Sequence, residues 1–221
     1  MKKMLIIFSL MAILPCQATE LAGLNAAEQQ ALESQVVAHY RHMTKQLGGT
    51  LLKTLQTTMQ TEGAVNAIAV CREQAPVIAK GIAEENHLSI KRVSLKNRNP
   101  HNGLSADTQE ASVLQNFAER QAKGEDLTQV DKLTVIDVNG QPYYQFMKAI
   151  PTGTVCLTCH GANVDAALYS KIKEYYPDDK AIGFKEGELR GAFVITQAVS
   201  EAAALYKAGK LQPVTPTETQ K

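Results

Sequence analysis

Five consecutive residues, Cys156-Leu157-Thr158-Cys159-His160, constrain this chain more than any other feature. Two thiols two residues apart can add to the two vinyl groups on one edge of a haem. The histidine that follows can then offer its imidazole to the iron. Gly161 leaves the exit from that tight turn unhindered. The pattern reads as the attachment site of one covalent haem c, with His160 as an axial ligand. A Cys-x-x-Cys pair also suits a redox dithiol or half of a four-thiolate zinc site. The zinc site needs a second such pair, which the sequence lacks, and a thioredoxin-like dithiol needs a βαβ setting, which is missing too.

The N-terminus supports an oxidising, extracytoplasmic setting. Lys2 and Lys3 precede an apolar run from Leu5 to Leu14, and small residues at Cys16 and Ala18 suit cleavage after Ala18. The apolar run is too short to span a bilayer comfortably, so stable membrane insertion is not expected. Cys16 raises the alternative of a lipid-anchored protein, but Pro15 stands where a lipobox takes Gly, Ala or Ser. The expected location is the periplasm. Residues 1–18 hold two of the 23 basic residues and none of the 22 acidic ones, so the exported chain carries 21 against 22. That balance gives no reason to expect nucleic acid or an anionic membrane as a partner. Aromatic residues make up 5% and Trp is absent, which is lean for a core of this size. A buried porphyrin would supply large, flat apolar area. Of the four cysteines, Cys16 leaves with the signal and two belong to the haem motif, which leaves Cys71 to be explained.

Along the chain, Asn25 with Glu28 reads as a capping box. Apolar residues then recur at helical period from Leu32 to Met59, with a bend expected at Gly48-Gly49. A second helical stretch, Ala64 to Ile82, places Cys71 on its apolar stripe, and Pro76 should kink or restart it. Ser89 to Lys96 alternates like an extended segment, and residues 97–103 are dense in turn formers. Ser105 should cap a helix over 106–121. Lys132 to Val138 and Pro142 to Ile150 read as strands joined by an Asn139-Gly140 hairpin turn. Residues 163–175 read as a helix, 177–187 as a Gly- and charge-rich loop, 190–197 as a last strand and 200–206 as a short helix. The order, helices first and then strands mixed with helices, predicts an α+β fold.

The second iron ligand is open on these grounds. Candidates are Cys71, Met43, Met59, Met147, His39, His42, His87 and His101. Met43 and Met59 lie on the apolar stripe of a long helix, where methionine is more often core. His87 and His101 fall in polar surroundings. Cys71 suits a ligand and a buried inert thiol equally well. Arg92, Arg98 and Arg190 could pair with haem propionates, although each also reads as an ordinary structural arginine.

Four blocks go further: residues 67–76 around Cys71, residues 92–102, Cys156 to Gly161, and Gly187 to Ala192. In this order and spacing they resemble the single-haem c-type cytochromes with a PAS-like fold, long catalogued as a domain of unknown function. The resemblance spans most of the exported chain. It implies long N-terminal helices followed by a PAS-like antiparallel sheet with flanking helices. It also implies iron held between His160 and a thiolate at Cys71. The chain then divides into a signal peptide (1–18), a PAS-like c-type haem domain with a helical extension (19–207) and a disordered tail (208–221). Thiolate ligation stabilises ferric iron, and release of the thiolate on reduction would open a site for a gas such as CO or NO. The expected function is a redox or small-ligand sensor working with an unidentified redox or signalling partner. The alternative is a periplasmic electron-transfer cytochrome. No kinase or other output domain is present, and no distal His–Arg pair suggests a peroxidase, so an enzyme is not expected.

Overall fold

The computed structural model describes residues 24–211, so the expected signal and residues 212–221 lie outside the described residues. Helix α1 (Ala26–Glu62) starts on the expected capping box: the Asn25 side chain accepts from the Glu28 N–H, and the Glu28 carboxylate accepts from the Asn25 N–H at 2.9 Å. The helix runs without interruption through Gly48-Gly49 and buries Leu32, Val36, Tyr40, Met43 and Leu47 along one stripe.

After a turn at residues 63–66 the chain folds back through α2 (Ala67–Ala69), one π-helical turn (Val70–Gln74) and α3 (Ala75–Glu85). Pro76 disturbs this stretch, as expected, but the disturbance lies ahead of it. A helical proline clashes with the carbonyl four residues earlier, here that of Arg72, and donates no N–H. The helix widens instead, and the Ala75 N–H bonds to the Val70 carbonyl five residues back. Cys71 sits in this widened turn, a device often found at functional sites.

Four strands follow: β1 (Ser89–Val93), β2 (Asp131–Val138), β3 (Gln141–Pro151) and β4 (Leu189–Ala198). They form one antiparallel sheet in the order β1-β4-β3-β2. Asn139 and Gly140 turn β2 into β3 with φ of 55° and 81°, as a two-residue hairpin with matching twist requires. Alternation along β3 and β4 divides the core. Tyr144, Phe146, Phe193 and Ile195 face α1, α3 and a last helix α7 (Val199–Lys207), while Met147, Ala149, Ala192 and Val194 face α4 (Gln109–Ala122) through Val113, Leu114 and Phe117. This is the expected α+β arrangement, a long N-terminal helix and then an antiparallel sheet with flanking helices.

Several boundaries differ from expectation; β1, for one, ends at Val93 and not at Lys96. Helix α4 begins at Gln109, because Thr108 and not Ser105 is the cap: the Thr108 Oγ1 accepts from the Ala111 N–H at 3.2 Å. A further shift concerns α6 (Ala166–Tyr175), where Asp165 caps by accepting from the Leu168 N–H at 2.9 Å. Packed chain also continues past 207, since Leu211 is buried in the larger core. No helix among the described residues is long and apolar enough to cross a membrane.

Gly191 lets the start of β4 approach the end of β1, its antiparallel neighbour, closely. A Cβ there would lie 2.2 Å from the Val93 carbonyl oxygen, a backbone atom that cannot step aside. Gly191→Ala is therefore expected to cost about 3 kcal/mol or more, read as a lower denaturant midpoint at unchanged slope. A loss below 0.5 kcal/mol would mean that the two strands can separate there.

Candidate functional site

The β3–β4 connection builds one wall of a mostly apolar recess. Leaving β3, the chain makes a single 3₁₀ turn (Thr154–Cys156) and the short helix α5 (Leu157–His160). Two consecutive tight turns bring Cys156, Cys159 and His160 onto a cavity of about 470 Å3. The facing wall comes from the C-terminal half of α1, with Leu51, Leu52, Leu55 and Met59, and Cys71 enters beside it from the π-helical turn. Phe193 and Ile150 close the sheet side, and Arg92, Arg98 and Arg190 also line the space.

The imidazole of His160 is held in one tautomer. Its Nδ1 lies 2.6 Å from the Ala181 carbonyl oxygen, which can only accept, so Nδ1 carries the proton. Nε2 keeps its lone pair, the form a metal ligand needs. Burial, then the charges of Arg190 and Arg98, holds the ring well below its usual 6.5, so it is neutral at neutral pH. Phe184 packs edge-on against it with ring centres 6.3 Å apart.

Arg98 fastens the same loop. Its Nη2 donates to the Cys159 carbonyl at 2.6 Å and to Asp179 Oδ2 at 3.0 Å. The pair is buried, with the Asp179 side chain 0% and that of Arg98 11% exposed. Arg190 donates to Ser94 Oγ at 3.0 Å and lies over the Phe184 ring, and Arg92 approaches the Cys71 carbonyl at 3.4 Å. Burial, then the like charges of Arg98 and Arg92, pushes Arg190 down to about 10. Burial raises the Cys71 thiol, and the same three arginines pull it back.

A family model of the Tll0287-like proteins matches residues 18–198. The chain belongs to the Tll0287-like family. Among solved structures it is similar to the cyanobacterial heme-protein Tll0287, with 25% identity and a TM-score of 0.53 over 79% of this chain and 97% of that one. No curated protein matches it.

The residues of this Tll0287-like chain fit a haem on physical grounds. The recess is mostly apolar, as a porphyrin face requires, and of a size usual for cofactor sites. Among the described residues no three His, Cys, Asp or Glu side chains are grouped to hold a bare metal ion. Three guanidinium groups line the space. The buried Nε of Arg98 has no acceptor among the described residues, which a propionate would supply.

The structure thus brings Cys71, Cys156, Cys159 and His160 to one cavity, and Met59 with them. The other candidate donors lie elsewhere: Met43 and Met147 are buried in the two cores, His39 is buried on α1, and His42, His87 and His101 are exposed. Asp179 and the Ala181 carbonyl were not singled out from sequence. Both sit in the charge-rich loop 177–187, where only the fold shows that they face Arg98 and His160.

Gly161 is a close-approach position. A Cβ there would meet the Leu157 carbonyl oxygen at 2.6 Å, and the Gly161 N–H already bonds to that same carbonyl at 2.9 Å. Gly161→Ala is expected to open the turn and lower haem loading several-fold, read as the ratio of haem to protein absorbance. Unchanged loading would mean that the turn tolerates widening.

Proposed function

We propose that this protein is an exported haem protein in which Cys156 and Cys159 bind one haem covalently, His160 and Cys71 ligate its iron, and a redox change or a small ligand is sensed. The observation that carries the reading is the meeting of Cys71 with Cys156, Cys159 and His160 in one apolar cavity. The relative's description as a heme-protein supports it.

Haem supplies one-electron redox chemistry and, where a ligand leaves, a position for a diatomic gas. The protein's own groups set the terms. His160 presents a neutral, oriented Nε2 because Ala181 fixes its other nitrogen. Cys71 offers a negatively charged sulfur, which favours ferric iron and a low potential. Arg92, Arg98 and Arg190 counter the charges of the propionates and of the thiolate. Leu51, Leu55 and Phe193 line the cavity with apolar surface that would limit water around a bound haem.

A periplasmic electron carrier is the second reading. It is favoured by Leu52, which lines the cavity and is 42% exposed, so a cofactor edge would lie within reach of a redox partner. We assign no enzymatic activity. The partner is a redox or signalling protein, the gas a ligand such as CO or NO, and the location the periplasm, reached through residues 1–18.

The test of covalent binding is denaturing extraction with mass spectrometry of the protein matured with haem. The reading expects a mass increase of one haem, abolished in Cys156→Ala/Cys159→Ala. Haem that extracts freely from the wild-type protein would contradict it.

A further inference from the structure

Met59, half-buried near the end of α1, differs from the methionines of the packed interior. Met43 and Met147 are enclosed by the two cores, whereas Met59 lines the cavity shared by Cys71 and His160. It sits within the last turn of α1. The turn at residues 63–66 folds the chain back so that α1 packs along α2 and the π-helical turn. Met59 and Cys71 therefore enter the cavity from adjoining helices of one hairpin, while His160 enters from the β3–β4 connection. Two sulfur donors of different charge line the one cavity. The thiolate suits ferric iron, and the neutral thioether, on a flexible unbranched side chain, suits ferrous iron.

We infer that Met59 is an alternative iron ligand on the Cys71 side of the cavity and takes the sixth position when the iron is reduced. The inference rests on the haem reading above, with His160 and Cys71 as the ferric pair. The exchange balances simply. An external one-electron donor reduces the iron. The bond to Cys71 breaks, its electron pair stays on the sulfur, and the released sulfur takes up a proton from water, as a free thiol does at neutral pH. A lone pair of Met59 Sδ forms the new bond. The reduced site is then closed to weak ligands and admits only those that displace a thioether, which sets a threshold for any gas sensed.

Met59→Leu is nearly volume-conserving and should fold. The test compares absorption spectra of the dithionite-reduced, haem-loaded wild type and Met59→Leu, and CO association in both. The inference expects a six-coordinate low-spin ferrous wild type, a five-coordinate high-spin Met59→Leu, and CO binding at least tenfold faster in the variant. In ferric Cys71→Ala it expects the thioether–iron charge-transfer band, lost in Cys71→Ala/Met59→Leu. Identical ferrous spectra and CO rates in wild type and Met59→Leu overturn it. Loss of a thiolate signature in ferric Cys71→Ala tests the ligand reading separately, so the two can fail independently.

Discussion

Arg98→Ala is expected to remove about 3–5 kcal/mol of stability, the cost typical of breaking a buried ion pair by deleting one partner. The Asp179 side chain is 0% exposed and sits 3.0 Å from the guanidinium, so the deletion leaves a carboxylate in the interior without its ion-pair partner. The Cys159 carbonyl loses its donor at the same time, and that carbonyl belongs to the haem-motif turn. The loss should therefore appear twice, as a lower denaturant midpoint and as poorer haem loading. Arg98→Lys should recover only part of both, because an ammonium on a flexible stem is not held where the planar guanidinium holds Nη2, the one atom that reaches Cys159, Asp179 and Ala181. A stability loss below 1 kcal/mol, the range of exposed pairs, would show that water enters and screens the site.

Cys71→Ala is expected to raise the reduction potential by roughly 0.2 V, about a quarter of the ~0.8 V that axial ligands span. The direction follows from charge. Removing an anionic sulfur takes away the group that favours ferric iron, and Met59 as the replacement donor moves the site further toward the reduced form. Cys71 is half-buried in a turn already widened ahead of Pro76, so the smaller side chain should cost little packing. Spectroelectrochemical titration of wild type and variant reads the shift. An unchanged or lower potential in Cys71→Ala would place the sulfur outside the iron's coordination sphere.

Local features were legible in the sequence, and features made by packing were not. The Asn25–Glu28 cap and the Asn139-Gly140 turn each depend on residues a few positions apart, and each stands where expected. The start of α4 was misplaced because Ser105 and Thr108 are equivalent as caps by residue type. Only the bond from Ala111 to Thr108 separates them. Met59 and Met43 share one helical stripe, so periodicity treats them alike. The fold separates them, because the stripe leaves the sheet core and becomes a cavity wall toward the end of α1. Asp179 and Ala181 reach Arg98 and His160 from about 20 to 80 residues away, beyond any local pattern.

The central claim is that Cys71 and His160 ligate one haem iron, and the ferric EPR spectrum of the haem-loaded protein, taken beside Cys71→Ala, tests it most directly. The account predicts a low-spin thiolate signature in the wild type that is absent from the variant. The same signal in both proteins, or a wild-type spectrum of methionine or bis-nitrogen ligation, would contradict it.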